Sequence, residues 1–174
     1  MESSSALQSE KTIAALIHLS TFTQLVFPFG NFLFPLILWT AKRKHPFVDA
    51  HGKQALNFQI SLYLYFVFLI LIGVAGVLII GVSLAPEEAF QFNEEFIFRD
   101  PSRFGPLVIL LITVLLLIIT LLVLGIYGVV MATIRAGEGA YYQYPLCINF
   151  LRTVQPKAED LPPVKDPDQK NETL

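Results

Sequence analysis

Charged residues are absent from three long stretches of the chain. No Asp, Glu, Lys or Arg occurs in residues 12–41, 54–86 or 104–134. An α-helix needs about 20 consecutive apolar residues to cross a bilayer core of about 30 Å. Because each stretch is longer than that, the pattern predicts a helical membrane protein and excludes an ordinary soluble globular domain.

The first uncharged stretch is interrupted near its centre. Pro28 and Gly30 break helices, and Asn31 is a favourable N-cap residue for a new helix. We therefore expect a short helical hairpin with helices at about 11–27 and 31–43, and a single kinked span is the alternative. Broken helices at membrane depth need protein or water around them rather than lipid, which favours a bundle or an oligomer.

The other two uncharged stretches predict long transmembrane helices at about 50–83 and 105–135. The expected fold class is thus an all-α integral membrane protein with a four-helix bundle. The aromatic residues 139–152 are too few to span a bilayer, so we expect an interfacial segment there. Residues 1–10 are expected to form a polar tail. Residues 153–174, rich in proline and charge, are expected to form a disordered cytoplasmic tail.

The distribution of charge predicts the orientation of the bundle. Ten of the twelve Lys and Arg residues lie on the side that would hold both termini and residues 42–53. The opposite loop, 84–104, carries five acidic and two basic residues. By the positive-inside rule the first side is cytoplasmic. The net charge of −2 and the lack of an extended basic run exclude a nucleic-acid-binding protein.

Polar side chains within the uncharged stretches are the main candidates for a functional site. At membrane depth such groups are costly and usually face the bundle interior. The candidates are His18, Gln54, Asn57, Gln59 and Ser61. They could line a proton pathway or a pore, or they could form hydrogen bonds between helices, such as one from His18 to Asn57 or Gln59. We favour the structural interpretation.

Three further groups of residues are candidates for contacts with the membrane or with partners. Basic residues at the end of the second helix are expected to contact anionic headgroups: Lys42, Arg43 and Lys44. Small residues in the last helix are expected to let helices pack closely: Gly125, Gly128, Ala132 and Ala136. Aromatic residues in two connecting segments form a candidate partner interface: Phe90, Phe92, Phe96, Phe98, Tyr141, Tyr142 and Tyr144.

Patterns typical of catalytic or metal sites do not occur in the sequence. There is no phosphate-binding loop, no nucleophile elbow and no pair of carboxylates at membrane depth. The spacing of His45, Asp49 and His51 matches no strong metal-ligand pattern. We therefore expect no enzymatic activity, no cofactor and no bound metal. The single cysteine, Cys147, allows no intramolecular disulfide and is expected to be a packing residue.

Several segments together resemble a known family. They are ALIHLS at 15–20, PFGN at 28–31, PFVDAHGKQALNFQ at 46–59, AGEG at 136–139 and YQYPL at 142–146, with Pro35 and Trp39 between them. The combination is similar to small bacterial four-helix membrane proteins of unknown function related to the Tic translocon channel subunit of the chloroplast inner envelope. The resemblance implies four helices, both termini inside and assembly with other subunits. It carries over no catalytic residues.

These observations predict a multi-pass protein of the bacterial cytoplasmic (inner) membrane. We expect a non-enzymatic subunit or accessory protein of a larger membrane assembly, which the resemblance connects to protein translocation. The alternative is a small homo-oligomeric channel or carrier with its pathway around His18 and Asn57. The expected partners are the lipid bilayer and other membrane protein subunits, or further copies of the chain.

Overall fold

The chain forms helices over most of its length. The computed structural model describes residues 2–84 and 105–153, and the side chains of 5–82 and 105–153. Within these ranges the helices are α1 (Glu2–Leu19), a 3₁₀ segment (Ser20–Leu25), α2 (Gly30–Lys42), α3 (Pro46–Leu84) and α4 (Gly105–Glu138). The described residues contain no strand, which confirms the predicted all-α fold with four helices.

Helix α1 differs from its prediction at both ends. It begins at Glu2, so the expected polar tail is helical from that residue onward. Residues 2–11 contain neither glycine nor proline, so nothing in this polar stretch interrupts a helix. The helix ends at Leu19 because the next hydroxyl groups bond to backbone carbonyls three residues back and tighten the chain into the 3₁₀ segment. These bonds are Ser20 to Ile17 at 2.7 Å, Thr21 to His18 at 2.8 Å and Thr23 to Ser20 at 2.6 Å.

The turn between the 3₁₀ segment and α2 is tight. Phe29 adopts a left-handed conformation with a φ of 62°. A Cβ atom at Gly30 would lie 2.7–2.9 Å from atoms of Thr23, so only glycine lets the chain pass this close. The predicted helical hairpin is therefore present, and α2 agrees with its predicted range to within one residue.

Helix α3 begins four residues earlier than expected. The first helical residue is Pro46, where a missing N–H group costs nothing because it would have no partner within the helix. Asp49, in the first turn of α3, accepts a hydrogen bond from Trp39 Nε1 at 2.9 Å and pairs with Lys53 at 2.6 Å. Helix α4 matches its prediction at the start and extends to Glu138.

The described residues divide into two layers, which we call the base and the arm. The base contains α1, the 3₁₀ segment, α2, residues 46–61, residues 125–138 and the C-terminal segment 139–152. It holds every buried residue of the described part of the chain. The arm consists of residues 62–82 of α3 and 105–124 of α4, and none of these is buried.

The arm is a pair of apolar helices in close contact with each other. A Cβ atom at Gly76 would lie 2.5 Å from Leu110 Cδ2, so the two helices approach each other closely there. Large apolar side chains point away from the pair, with Ile79 68% and Ile109 66% exposed. Helices α3 and α4 are each long and apolar enough to cross a membrane. Exposed apolar surface on this scale is expected where lipid replaces water.

Candidate functional site

The centre of the base is a buried chain of three polar rings. His18 from α1 has no solvent-exposed surface, and both of its ring nitrogens are engaged. Its Nε2 lies 2.8 Å from Nδ1 of His51 on α3, and its Nδ1 lies 2.8 Å from the hydroxyl of Tyr144 in the C-terminal segment. One side chain therefore joins three elements that are far apart in sequence.

The partners of His18 differ from those expected. Asn57 and Gln59 were the candidates on α3, but α1 crosses α3 nearer to its N-terminus, level with His51. The sequence pattern singles out His51 only through its spacing from His45 and Asp49, as a possible metal ligand. The structure separates these three, since His45 pairs with Glu10 at 2.9 Å. Among the described residues no group of three His, Cys, Asp or Glu side chains could hold a metal ion.

The hydrogen bonds of His18, His51 and Tyr144 determine which ring atoms carry protons. A neutral histidine has one ring nitrogen that donates and one that accepts. If Tyr144 donates to His18 Nδ1, then His18 Nε2–H donates to His51 Nδ1, and His51 carries its own proton on Nε2. That nitrogen is buried without a protein partner in hydrogen-bond geometry, near the carbonyl of Ala140. The opposite assignment leaves the buried Tyr144 hydroxyl proton unpaired, so the first assignment is favoured.

Tyr144 lies in the base because the surrounding side chains make room for its ring. Its ring stacks on Phe58 with centroids 3.9 Å apart. A Cβ atom at Gly128 would lie 3.0 Å from Tyr144 Cδ1 and 3.1 Å from Phe58 Cζ, so a glycine here makes space for both rings. Burial raises the pKa of Tyr144 well above its ordinary value, which keeps the hydroxyl neutral and able to donate.

The small residues predicted for helix packing all face the interior. Gly125, Gly128, Ala132 and Ala136 are buried on one face of α4. Gly125 faces Leu62, because a Cβ atom there would lie 3.2 Å from Leu62 Cδ1. This face of α4 therefore lets α3 and the C-terminal segment approach closely.

Polar side chains along one face of α3 hold the C-terminal segment in place. Asn57 donates to the carbonyl of Leu151 and accepts from its N–H, both at 2.8 Å. Ser61 accepts from the N–H of Ile148 at 2.8 Å. Tyr65 donates to the carbonyl of Leu146 at 2.9 Å, although it is not among the sequence candidates. The spacing of 57, 61 and 65, four residues apart, is the signal that could have identified it.

Two glutamines of the candidate set have different environments. Gln59 accepts a hydrogen bond from Asn31 Nδ2 at 3.0 Å and so links α2 to α3. Asn31, predicted as an N-cap residue, is the second residue of α2, and its side chain is used for this link instead. Gln54 is buried, and its Oε1 has no protein partner.

The remaining candidates lie at the surface or outside the described residues. Lys42, the last residue of α2, and the two residues that follow it, Arg43 and Lys44, are exposed, as a headgroup contact requires. Tyr141 and Tyr142 are half-buried, whereas Tyr144 is inside the base and is not available to a partner. The aromatic residues Phe90, Phe92, Phe96 and Phe98 lie outside the described residues.

One family model matches the chain, over residues 9–151. It is the MamF/MmsF model, described as the magnetosome magnetite crystal formation protein family. No curated protein and no solved structure gives a match. The match supports a small bacterial membrane protein family, as the resemblance implied. It does not support the similarity to the chloroplast Tic subunit, nor a role in protein translocation.

Proposed function

Because the chain belongs to the MamF/MmsF family, the magnetosome magnetite crystal formation proteins, we propose that it is a non-enzymatic accessory protein of the magnetosome membrane that supports crystal formation. The observation that carries this proposal is the extent of the match. Residues 9–151 include the three buried polar rings, α1 from residue 9 onward, the other helices of the base and the two helices of the arm. The family description therefore concerns the folded membrane unit as a whole rather than one motif within it.

An accessory role agrees with how the polar groups of the base are used. His18 joins α1 to α3 and to the C-terminal segment, and Asn57 and Ser61 hold that same segment. The polar atoms of these side chains form hydrogen bonds between the helices and the C-terminal segment, so they are not free to act on a substrate. We therefore propose an indirect effect on the mineral, exerted through the membrane or through other membrane proteins.

The exposed arm supports the second part of the proposal. Two helices with no buried residue present apolar surface on every side that does not face the other helix. Such a pair is suited to contacts with other membrane-embedded helices as well as with lipid. A channel through this chain alone would need the polar side chains to face a pathway, and no observation favours that alternative.

Complementation of a family-deficient magnetotactic bacterium tests the proposed function. The chain is expressed in a strain that lacks its own member of this family, and the size and number of magnetite crystals are measured by electron microscopy. We expect partial or full recovery of crystal size. The matched variants are Asn57→Leu, which releases the C-terminal segment, and Leu116→Ala, which alters only a 58% exposed side chain of the arm. Leu116→Ala should restore crystals and Asn57→Leu should not.

A chain that reaches the magnetosome membrane in normal amounts and leaves crystal size unchanged would contradict the proposal. Its accessory character is tested separately by purification from isolated magnetosome membranes in mild detergent, followed by mass spectrometry. We expect other membrane proteins to co-purify in fixed proportion. Recovery of the chain alone would argue against action through an assembly.

A further inference from the structure

A cavity of about 450 Å³ opens at the junction between the base and the arm. Its walls come from the 3₁₀ segment, α2, α3 and α4, and none of the lining residues is charged. The residues that the argument uses are Asn31, Gln59, Leu62, Phe66, Ile118 and Leu122. Because it lies beside the apolar arm, the cavity is open to the region that lipid would occupy.

The end of the cavity nearest the base contains an incompletely satisfied pair of amides. Asn31 and Gln59 share one hydrogen bond of 3.0 Å, yet each side chain has a second amide atom with no protein partner. Asn31 is 9% and Gln59 6% exposed, and both residues line the cavity. Exchanging the oxygen and nitrogen positions of both amides gives the same result, because one amide NH₂ group and one amide oxygen are left without a partner in either case.

The rest of the cavity is apolar and elongated along the arm. Gln59 and Phe66 are seven residues apart on α3, which corresponds to about 10 Å along the helix. Ile118 and Leu122 form the facing wall on α4. The volume of the cavity falls in the range typical of small-molecule sites.

We propose that this cavity binds a neutral single-chain amphiphile from the bilayer. The head group, bearing a carbonyl and a hydroxyl, pairs with the leftover donor and acceptor of Asn31 and Gln59. The hydrocarbon chain lies along Phe66 and Leu122. A charged head group is disfavoured, because burying an ion without a charged partner costs far more than burying a neutral group that is hydrogen-bonded. This inference does not depend on the magnetosome role, since it rests only on the cavity.

Photo-crosslinking in lipid nanodiscs tests the proposal. The full-length protein is placed in phosphatidylcholine nanodiscs with a monoacylglycerol that carries a diazirine in the half of its acyl chain nearest the head group, and labelled residues are mapped by mass spectrometry. We expect labelling to concentrate on residues 62–66 and 118–122, and unlabelled monoacylglycerol to compete. A diazirine-bearing alkane of equal length should label these residues at least 10-fold less.

Two variants separate recognition from general lipid contact. In the double variant Asn31→Leu with Gln59→Leu, both partners become apolar side chains of similar size, which limits the effect on folding. Labelling should fall at least 10-fold. Leu122→Trp fills the cavity and should also abolish labelling, whereas Leu116→Trp, at a position of similar exposure on the same helix, should not.

Three outcomes would overturn the proposal. They are even labelling along the whole arm, equal labelling by the alkane and the monoacylglycerol, and full labelling of the Leu122→Trp variant. Each would mean that the cavity is filled by bulk acyl chains without recognition of a head group.

Discussion

The hydroxyl group of Tyr144 is the most specific test of how the base is held together. It lies 2.8 Å from Nδ1 of His18, and the two side chains are 5% and 0% exposed. Tyr144→Phe removes this donor and preserves the ring that stacks on Phe58. The substitution thus isolates one hydrogen bond from the packing around it.

The expected cost follows from the burial of the histidine nitrogen. Without the hydroxyl, Nδ1 of His18 is left inside the base with no donor and no access to water. An unsatisfied buried acceptor costs about 1–3 kcal/mol. A loss of about 2 kcal/mol corresponds to a roughly 30-fold change in the unfolding equilibrium. Tyr142→Phe is the matched control, because Tyr142 is only half-buried and its ring makes an edge contact with Tyr144 that phenylalanine retains.

Reversible unfolding in mixed micelles provides the measurement. The free energy of unfolding is compared for the unmodified protein, Tyr144→Phe and Tyr142→Phe, with helicity followed by circular dichroism. A double-mutant cycle with His18→Phe measures the coupling between the two side chains directly. Equal stability of the two tyrosine variants, together with a coupling energy near zero, would refute the conclusion that His18, His51 and Tyr144 link α1, α3 and the C-terminal segment.

Three further predictions concern the base. Gly52→Ala places a Cβ against the indole ring of Trp39, so we expect overpacking to lower the free energy of unfolding by about 1–3 kcal/mol and to shift the fluorescence of this single tryptophan. Asn57→Leu removes two 2.8 Å bonds to the C-terminal segment, so hydrogen exchange in residues 146–151 should accelerate at least 10-fold, as read by mass spectrometry. Burial raises the pKa of Tyr144, so the neutral hydroxyl stabilises the fold fully below about pH 10, the ordinary pKa of tyrosine, and this stabilisation is lost as the pH rises further. The free energy of unfolding should therefore fall above about pH 10, and less steeply in Tyr144→Phe.

Much of the fold could be predicted from the pattern of charge and apolar residues. Helix α4 begins where predicted, because its uninterrupted apolar run starts directly after Arg103. The turn before α2 was predicted because proline and glycine limit the backbone directly. The start of α1 was missed, since the side chains of residues 5–9 are all exposed and no buried apolar face marks this stretch as helical in the sequence.

The polar site was predicted only in part. His18, Asn57 and Ser61 were identified because a polar group in an apolar helix must find a partner. Their partners could not be predicted, since pairing depends on how far along each helix the crossing occurs. Tyr144 could not be placed either, because its position depends on the space above Gly128, which exists only once α4 and the C-terminal segment are packed.

The length of α3 has a consequence for how the protein fits its bilayer. Its 39 residues extend about 58 Å, and a tilt of 40° still leaves about 45 Å along the membrane normal, against a hydrocarbon thickness of about 30 Å. Residues 62–82 alone extend about 31 Å, which matches that thickness. The base then lies at the level of the headgroups. The length of the arm thus sets the hydrophobic mismatch, and removing one turn from both of its helices would shift the protein's preference toward thinner membranes.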